Sequence, residues 1–156
     1  MKKIHWQAVF LAAVIFLGAI FPFLIKEKIV TSDRLETEKA IKEMQIKNRK
    51  FFIEMVTTPE KRKKGLSGRK ELCPNCAMLF VFKKPERVSF WMKDMLFDLD
   101  IIWIFNDEVV GIAENVSHER DSAKIVHSPV FVDKVLEVNA GMSGELGLKV
   151  GDKIEF

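Results

Sequence analysis

The chain has few cysteines, no large excess of basic residues and no internal repeats. Two cysteines among 156 residues are too few for a disulfide-dense scaffold. The whole sequence has 25 Lys and Arg against 22 Asp and Glu, but residues 51–156 have 15 basic and 17 acidic side chains. Because nucleic-acid-binding domains usually have a basic surface, this nearly neutral stretch argues against a nucleic-acid partner. The length suits one domain of roughly 100 to 120 residues with an appendage.

That appendage is a hydrophobic segment, residues 8–25, which follows a short tail with two lysines. Its eighteen residues contain no charged side chain. A helix of that length would be about 27 Å long, close to the hydrocarbon thickness of a bilayer. Bulky residues from Phe21 to Ile25 stand where a signal peptidase requires small ones. The sequence therefore predicts an uncleaved signal anchor or transmembrane helix over residues 1–25, and a cleaved signal with a poor site is the alternative.

The charges around the anchor predict its orientation. The lysine pair favours a cytoplasmic N-terminus, although basic residues diluted by acids also follow the anchor. We therefore predict a single-pass protein of the cell membrane, with a charged stalk over residues 26–39 and an extracytoplasmic domain over residues 40–156. The membrane, through residues 8–25, is one expected partner, and an unknown small molecule or envelope protein is the other. We expect no nucleic-acid partner, cofactor or metal.

The first part of the domain predicts a hairpin, a short helix and a central strand. Apolar residues alternate with polar ones on both sides of a turn at Lys47–Lys50, which is typical of a hairpin. Thr58 and Pro59 then form a helix start. We interpret the basic run Lys61–Lys64 as a solvated helical face rather than a binding patch. Residues 77–82 are apolar on both faces and predict a central strand.

The second part predicts further short strands. Residues 88–105 read as two strands joined by a polar elbow, and Asn106–Asp107 as a hairpin turn into residues 108–116. Residues 135–138 and 153–156 predict two more strands. Together these patterns predict a mostly β, α+β fold, specifically a small mixed or antiparallel β-barrel with one or two short helices.

Six short motifs in the domain occur in a fixed order. They are Gly65-Leu66-Ser67-Gly68-Arg69, Ala77–Phe82, Phe90-Trp91-Met92-Lys93, Leu99-Asp100-Ile101, Val135-Leu136-Glu137 with Asn139-Ala140-Gly141, and Gly147–Asp152. They resemble the ordered motifs of the prokaryotic family named domain of unknown function 192, also called uncharacterised protein family 0127. The resemblance covers about residues 42–156. It implies a compact β-rich fold, often behind a signal or anchor, and it implies no activity, ligand or catalytic residue.

The chain departs from the family pattern at three positions. Ser67 stands where the family usually has methionine, and Ala77 where it has glycine. Asp98 stands where a proline commonly precedes the Leu-Asp pair, so it places a second acid beside Asp100.

Five polar or aromatic residues form the candidate site. They are Arg69, Trp91, Lys93, Asp100 and Glu137. Strand alternation puts Trp91 and Lys93 on one face, and a pairing of the two strands in residues 88–105 would bring Lys93 to Asp100. One interpretation is a polar pocket floored by tryptophan for an anionic or sugar-like ligand. The other is a buried salt-bridge network that fixes strand register.

Cys73 and Cys76 are the second chemical signal, with the spacing of a dithiol redox site. A strand rather than a helix follows the pair, so a helix dipole that would activate a thiol is missing. Two idle thiols or a local disulfide, if the domain is exported, are the simpler states. His118 and His127 could complete a metal site with these cysteines, but no second closely spaced ligand pair accompanies them.

Two classes of function follow. The first is an uncharacterised membrane-tethered module at the cell envelope that binds a small polar or anionic ligand or a partner protein. The alternative is an enzyme that uses Lys93 with Asp98 or Asp100, or a redox or metal site at Cys73 and Cys76. A perturbed acid or base that solvent can reach would favour the enzyme.

Overall fold

The structure is a computed structural model that describes residues 41–119 and 125–156. The predicted anchor and stalk, residues 1–39, lie outside the described residues. Within the described ranges, no helix has the length and hydrophobicity needed to cross a membrane.

The described residues form eight strands and two short helices. The strands are β1 (Ile41–Ile46), β2 (Arg49–Val56), β3 (Cys76–Glu86), β4 (Ser89–Trp91), β5 (Leu99–Phe105), β6 (Glu108–Val116), β7 (Ile125–His127) and β8 (Val132–Asn139), and the helices are α1 (Pro59–Lys64) and α2 (Met142–Glu145). Six strands form one sheet in the order β1-β2-β3-β8-β5-β6, and β4 and β7 form a separate ribbon. The pair β2 and β3 is parallel, while the other neighbours are antiparallel. The prediction of a mostly β fold with two short helices is confirmed.

The sheet is not closed into a barrel, and that part of the prediction is wrong. Closure would require β6 to pair with β1, whereas the outer edge of β6 is bonded to the C-terminal segment. The backbone N–H of Val109 donates to the carbonyl oxygen of Asp152 at 2.8 Å, and that of Gly151 donates to Val109 at 2.8 Å. The predicted last strand is correspondingly reduced to a single bridge between Glu108 and Lys153. The start of the edge that closure would need is therefore already paired.

Both faces of the sheet are buried, which explains the apolar runs in its central strands. The first face carries Phe51 and Leu79 and is covered by Met142, Leu146 and other residues after β8. The second face carries Met78, Phe80, Ile101, Trp103 and Val135, and it is covered by Leu66, Met92 and Met95. We call these the first face and the second face. Because neighbouring residues of a strand point to opposite faces, one residue decides which core a side chain enters.

The predicted pairing within residues 88–105 is wrong. Strand β4 pairs with β7, whereas β5 pairs with β6 and β8. The connection between β4 and β5 buries Met92 and Met95 in the core of the second face, so the chain passes from the ribbon into the sheet. The predicted alternation itself is correct, because Met92 is buried while Trp91 and Lys93 are exposed.

Local turn and capping signals are confirmed. Thr58 accepts a hydrogen bond from the backbone N–H of Lys61 at 3.3 Å, and Pro59 begins α1. Asn106 and Asp107 have φ angles of 48° and 61°, as a tight hairpin turn requires.

Gly111 should tolerate no side chain. It lies opposite Trp103 in the β5–β6 pair, and an added Cβ would lie 2.7 Å from Cγ of Pro129. Because the proline ring is rigid, we expect Gly111→Ala to lower the free energy of unfolding by about 1 to 3 kcal/mol in urea denaturation. Gly144→Ala in α2 is the matched control, since its Cβ would meet nothing within 4 Å. Equal stability of the two variants would contradict the close contact.

Candidate functional site

Asp100 is a structural residue on the first face rather than a partner of Lys93. It is fully buried. Its carboxylate accepts hydrogen bonds from the backbone N–H groups of Asn115 at 2.8 Å, Gly141 at 3.1 Å and Ser143 at 2.9 Å, and from the Ser143 hydroxyl at 2.6 Å. These donors replace the water that the carboxylate loses on burial. Asp100 thereby joins β5 to β6 and to the start of α2.

Lys93 lies outside the core, beside the ring of Trp91. Its ammonium nitrogen is 5.7 Å from the ring centroid, within the range of a cation–π contact. Among the described residues no salt bridge joins Lys93 to Asp98 or Asp100. The predicted network between Lys93 and Asp100 is therefore wrong, because the two residues belong to different layers of the fold.

Asp98 is engaged elsewhere. It accepts hydrogen bonds from the backbone N–H of His118 at 2.8 Å and from Nδ1 of the same residue at 2.6 Å. These bonds hold the pKa of Asp98 below its ordinary value. Asp98 therefore fixes the chain after β6 and has no contact with Lys93 that would form an acid-base pair.

Glu137 is the one predicted site residue with a strongly perturbed acidity. It lies on β8, between Met78 of β3 and Ile101 of β5, and is 6% exposed. Burial raises the pKa of Glu137 to about 8, although the charge of Arg69 acts in the opposite direction. Its Oε2 atom has no hydrogen-bond partner. A carboxyl group with this pKa is mostly neutral at pH 7 and can donate a hydrogen bond.

Arg69 does not neutralise Glu137 directly. Its Nη2 atom lies 2.9 Å from Oε2 of Glu54, and about two fifths of each of these two side chains is exposed. An ion pair with that exposure contributes little stability. Since the Arg69 guanidinium is committed to Glu54, the buried carboxyl of Glu137 keeps a free oxygen.

Glu137 lines a small recess on the second face. This Glu137 recess has a volume of about 30 Å³, enough for one water-sized atom. Its lining comprises Arg62, Lys63, Lys64, Gly65, Leu66, Ser67, Phe80, Phe90, Trp91, Met95 and Glu137. Trp91 and Glu137, both predicted site residues, thus line one cavity.

A larger groove adjoins the recess. This Trp91 groove has a volume of about 410 Å³ and is lined by Arg62, Lys63, Phe82, Glu86, Arg87, Val88, Ser89, Phe90, Trp91 and Ile125. Three basic side chains face one acidic side chain, and three aromatic rings supply apolar surface. The groove and the recess share Arg62, Lys63, Phe90 and Trp91. The two cavities are therefore neighbours, and together they are the candidate site.

Several side chains of the groove are held in place by neighbours. The guanidinium of Arg62 donates hydrogen bonds to the carbonyl oxygens of Thr57 at 2.8 Å and Val81 at 3.3 Å and lies 5.0 Å from the ring centroid of Phe82. Phe90 packs edge-on against Trp103, with ring centroids 5.6 Å apart. Such fixed groups lose little conformational freedom when a ligand binds.

Trp91 is less enclosed than these residues, because it is 49% exposed. Ser89, two residues earlier, has its hydroxyl 2.8 Å from Nδ1 of His127 on the neighbouring strand. This contact stabilises the β4–β7 ribbon and adds a polar group to the groove.

The two cysteines lie apart from the groove. Cys73 and Cys76 form a disulfide, with Cα atoms 5.1 Å apart. The loop between them is held by Arg49, whose Nε donates to Oδ1 of Asn75 at 2.8 Å. A second cavity of about 190 Å³ lies beside the disulfide and the Arg69–Glu54 pair. Among residues 41–119 and 125–156, no group of three or more His, Cys, Asp and Glu side chains is arranged to hold a metal ion.

Sequence reasoning missed most of the groove. Arg87 belongs to none of the six motifs, and the basic run in α1 was interpreted as a solvated face. Arg62 and Lys63 of that run line the groove, and Lys64 lines the recess. The groove could have been predicted from two features taken together, which are this basic run and the aromatic residues next to Trp91.

The comparisons with known proteins agree with the resemblance in the sequence. The family model DUF192, described as "Uncharacterized ACR", matches residues 41–156. The chain belongs to this family. The predicted family is thereby confirmed, and the match brings no assigned activity. No curated protein matches the chain.

Two solved structures share the fold and about a third of the sequence. One, from Sinorhizobium meliloti 1021, is described as a "putative transcription regulator"; it is 32% identical, with a TM-score of 0.64, and the match covers 74% of this chain and 90% of that one. The other is a protein of unknown function from Novosphingobium aromaticivorans DSM 12444. It is 31% identical, with a TM-score of 0.66, and the match covers 74% of this chain and 83% of that one.

The acidity of Glu137 should make the protein less stable as the pH rises. In the unfolded chain the carboxyl group has an ordinary pKa of 4.5, against about 8 in the folded protein. Between these values the unfolded chain releases a proton that the folded protein keeps, so rising pH favours unfolding; above about pH 8 the effect ends. Urea denaturation should show a loss of up to about 1.4 kcal/mol per pH unit from this group.

The variant Glu137→Gln isolates this contribution. Its amide is neutral throughout, so the downward slope of stability between pH 5 and 8 should disappear relative to the wild type. Glu155→Gln is the matched control, because Glu155 is exposed and its variant should keep the wild-type slope. A Glu137→Gln variant that follows the wild-type curve would show that Glu137 is ionised in the folded protein.

Proposed function

We propose that this protein is a membrane-tethered module of the cell envelope that binds a small anionic ligand with a planar or apolar part in the Trp91 groove. The observation that carries the proposal is the half-exposed indole of Trp91 in a groove of about 410 Å³ with three basic side chains. Ligand sites of small molecules are commonly concave, largely apolar and provided with a few fixed polar groups. The groove has each of these properties.

The charge distribution supports an anion. Arg62, Lys63 and Arg87 outnumber Glu86 around the groove, whereas residues 51–156 as a whole carry two more acidic than basic side chains. A local basic cluster on a nearly neutral domain attracts a small anion more than it attracts an extended polyanion. The guanidinium groups of Arg62 and Arg87 are suited to phosphate or carboxylate oxygens.

The same balance of basic and acidic side chains is relevant to the description of the Sinorhizobium meliloti protein as a transcription regulator. A regulator that contacts nucleic acid directly would require a basic surface for the phosphate backbone. The groove in this chain is short and concave and contains Glu86. These features favour a small ligand over a nucleic acid as the partner of this domain.

The proposed location outside the cytoplasm is supported by two observations. Residues 8–25 have the length and hydrophobicity of a membrane anchor, and Cys73 forms a disulfide with Cys76. Disulfides persist mainly in oxidising compartments and are rare in the cytosol. The disulfide braces the loop before β3, which is a structural role in an exported domain.

Phenyl phosphate should bind to the full-length chain in a mild neutral detergent, as measured by calorimetry at pH 7. Its ring can stack on Trp91, and its anionic head can bind the basic side chains. We expect Trp91→Ala or Arg87→Met to weaken binding about tenfold. Lys84→Met is the matched control, because Lys84 is exposed on β3 and does not line the groove. Benzylamine, which carries the opposite charge, should not bind.

Failure of phenyl phosphate, benzoate and sugar phosphates alike to bind the wild type would refute the proposed anion site. So would binding that Lys84→Met weakens as much as Arg87→Met does, since attraction would then depend on overall charge rather than on the groove. Circular dichroism of each variant checks that the fold is intact.

The cysteines should also report the location of the domain. After reduction, a thiol reagent that cannot cross membranes should label Cys73 and Cys76 in cells whose cytoplasmic membrane is intact, and without reduction it should not. A chain that begins at residue 40 and is expressed in the cytosol is the control, and it should be labelled only after lysis. Full-length protein that likewise needs lysis would place the domain in the cytoplasm.

A further inference from the structure

The Glu137 recess offers a polar group that the groove alone does not. Glu137 is almost completely buried, and its Oε2 atom has no hydrogen-bond partner. A buried polar atom without a partner is uncommon in folded proteins, since it costs free energy that a hydrogen bond would recover. The recess that Glu137 lines accommodates one oxygen-sized atom, and Trp91 and Phe90 line both this recess and the groove. An oxygen of a bound ligand can therefore satisfy the buried carboxyl group.

The charges around the recess restrict the kind of atom that can enter. Helix α1 contributes Arg62, Lys63 and Lys64 to its lining. Arg69, in the loop after α1, does not line the recess, but its charge acts on Glu137. The flanking strands β3 and β5 place the apolar residues Met78 and Ile101 beside Glu137. Three basic groups at the recess repel an ammonium group and attract an oxyanion.

We propose that the protonated carboxyl group of Glu137 donates a hydrogen bond to an anionic oxygen of the ligand, so that the site binds a phosphate or carboxylate monoanion or dianion together with one proton. This inference rests on the proposed function and extends it by naming the ligand's binding group and its coupling to protons. The proton comes from solvent when Glu137 is ionised and is already present when Glu137 is neutral. No covalent bond changes.

The protonation state of the free protein supports this arrangement. Burial raises the pKa of Glu137 to about 8, so the carboxyl group is a donor at neutral pH. Ionised Glu137 would place a negative charge against the ligand's oxygen and would exclude it. Binding should therefore weaken when the pH rises above the pKa of Glu137.

The test is calorimetric titration of the full-length chain with phenyl phosphate at pH 7 and pH 9 and at constant ionic strength. The probe remains largely dianionic across this range, because its second pKa is about 6. For the wild type we expect about a tenfold weaker affinity at pH 9 than at pH 7. Titrations at pH 8.5 in two buffers of different ionisation enthalpy should show uptake of about 0.8 proton per ligand bound.

Two variants distinguish the hydrogen bond that residue 137 donates from the space that its side chain fills. Glu137→Gln keeps a neutral donor, so it should bind at pH 7 within about threefold of the wild type and show no loss at pH 9. Glu137→Met has no donor, so it should bind about tenfold more weakly than the wild type at pH 7 and equally at both pH values. The proton uptake of the wild type tests the inference even where a variant fails to fold.

The outcomes distinguish the two proposals. Binding by the wild type with equal affinity at pH 7 and pH 9 and no proton uptake would overturn the role of Glu137 and leave the groove as an anion site. A pH dependence that persists in Glu137→Gln would also overturn it, since another group would then titrate. Failure of the wild type to bind at either pH would refute the groove and the recess together.

Discussion

Removing a carboxyl group from water costs several kcal/mol unless hydrogen bonds or opposite charges replace the lost solvent. The structure meets this constraint in two ways on neighbouring strands. Asp100 on β5 accepts hydrogen bonds from Asn115, Gly141 and Ser143, and it joins three segments of the chain. Glu137 on β8 lacks such donors and keeps its proton instead. One carboxyl group therefore joins three segments of the chain, while the other has an oxygen without a hydrogen-bond partner.

The position of β8 creates this difference. Because β8 lies between β3 and β5, its side chains from Val135 to Val138 are buried on one face of the sheet or the other. Glu137 points to the second face, which is covered by loop residues and by the β4–β7 ribbon. These irregular elements leave the recess and the groove between them. The candidate site thus lies where regular packing of the core ends.

The sequence predicted the features that depend on neighbouring residues. The apolar run of β3, the cap at Thr58 and the alternation of Met92 with Trp91 follow from local patterns, and all are present in the structure. The partners of the strands were not predictable in the same way. Nothing near Asp100 in the sequence indicates that Ser143 is its partner, since the contact depends on the insertion of β8 between β3 and β5.

The candidate site was predictable only in part for the same reason. The chemistry of Glu137 is set by the side chains that exclude water from it, and these come from distant segments. Arg87, just before β4, lines the groove together with Ile125 of β7. The alternation of side chains along β4 could not reveal that β4 pairs with β7 rather than with β5. The failure of the sheet to close was unpredictable for the same reason. The C-terminal segment bonds to the outer edge of β6, and this contact joins residues more than forty positions apart in sequence.

The most direct test of this account is a crystal structure of the protein with phenyl phosphate at pH 7. The account predicts the phenyl ring against the indole of Trp91 and a phosphate oxygen within about 3 Å of Oε2 of Glu137. Phenyl phosphate bound in the groove with its oxygens far from Glu137 would contradict the proton-coupled site. An empty groove at saturating phenyl phosphate would contradict the anion site itself.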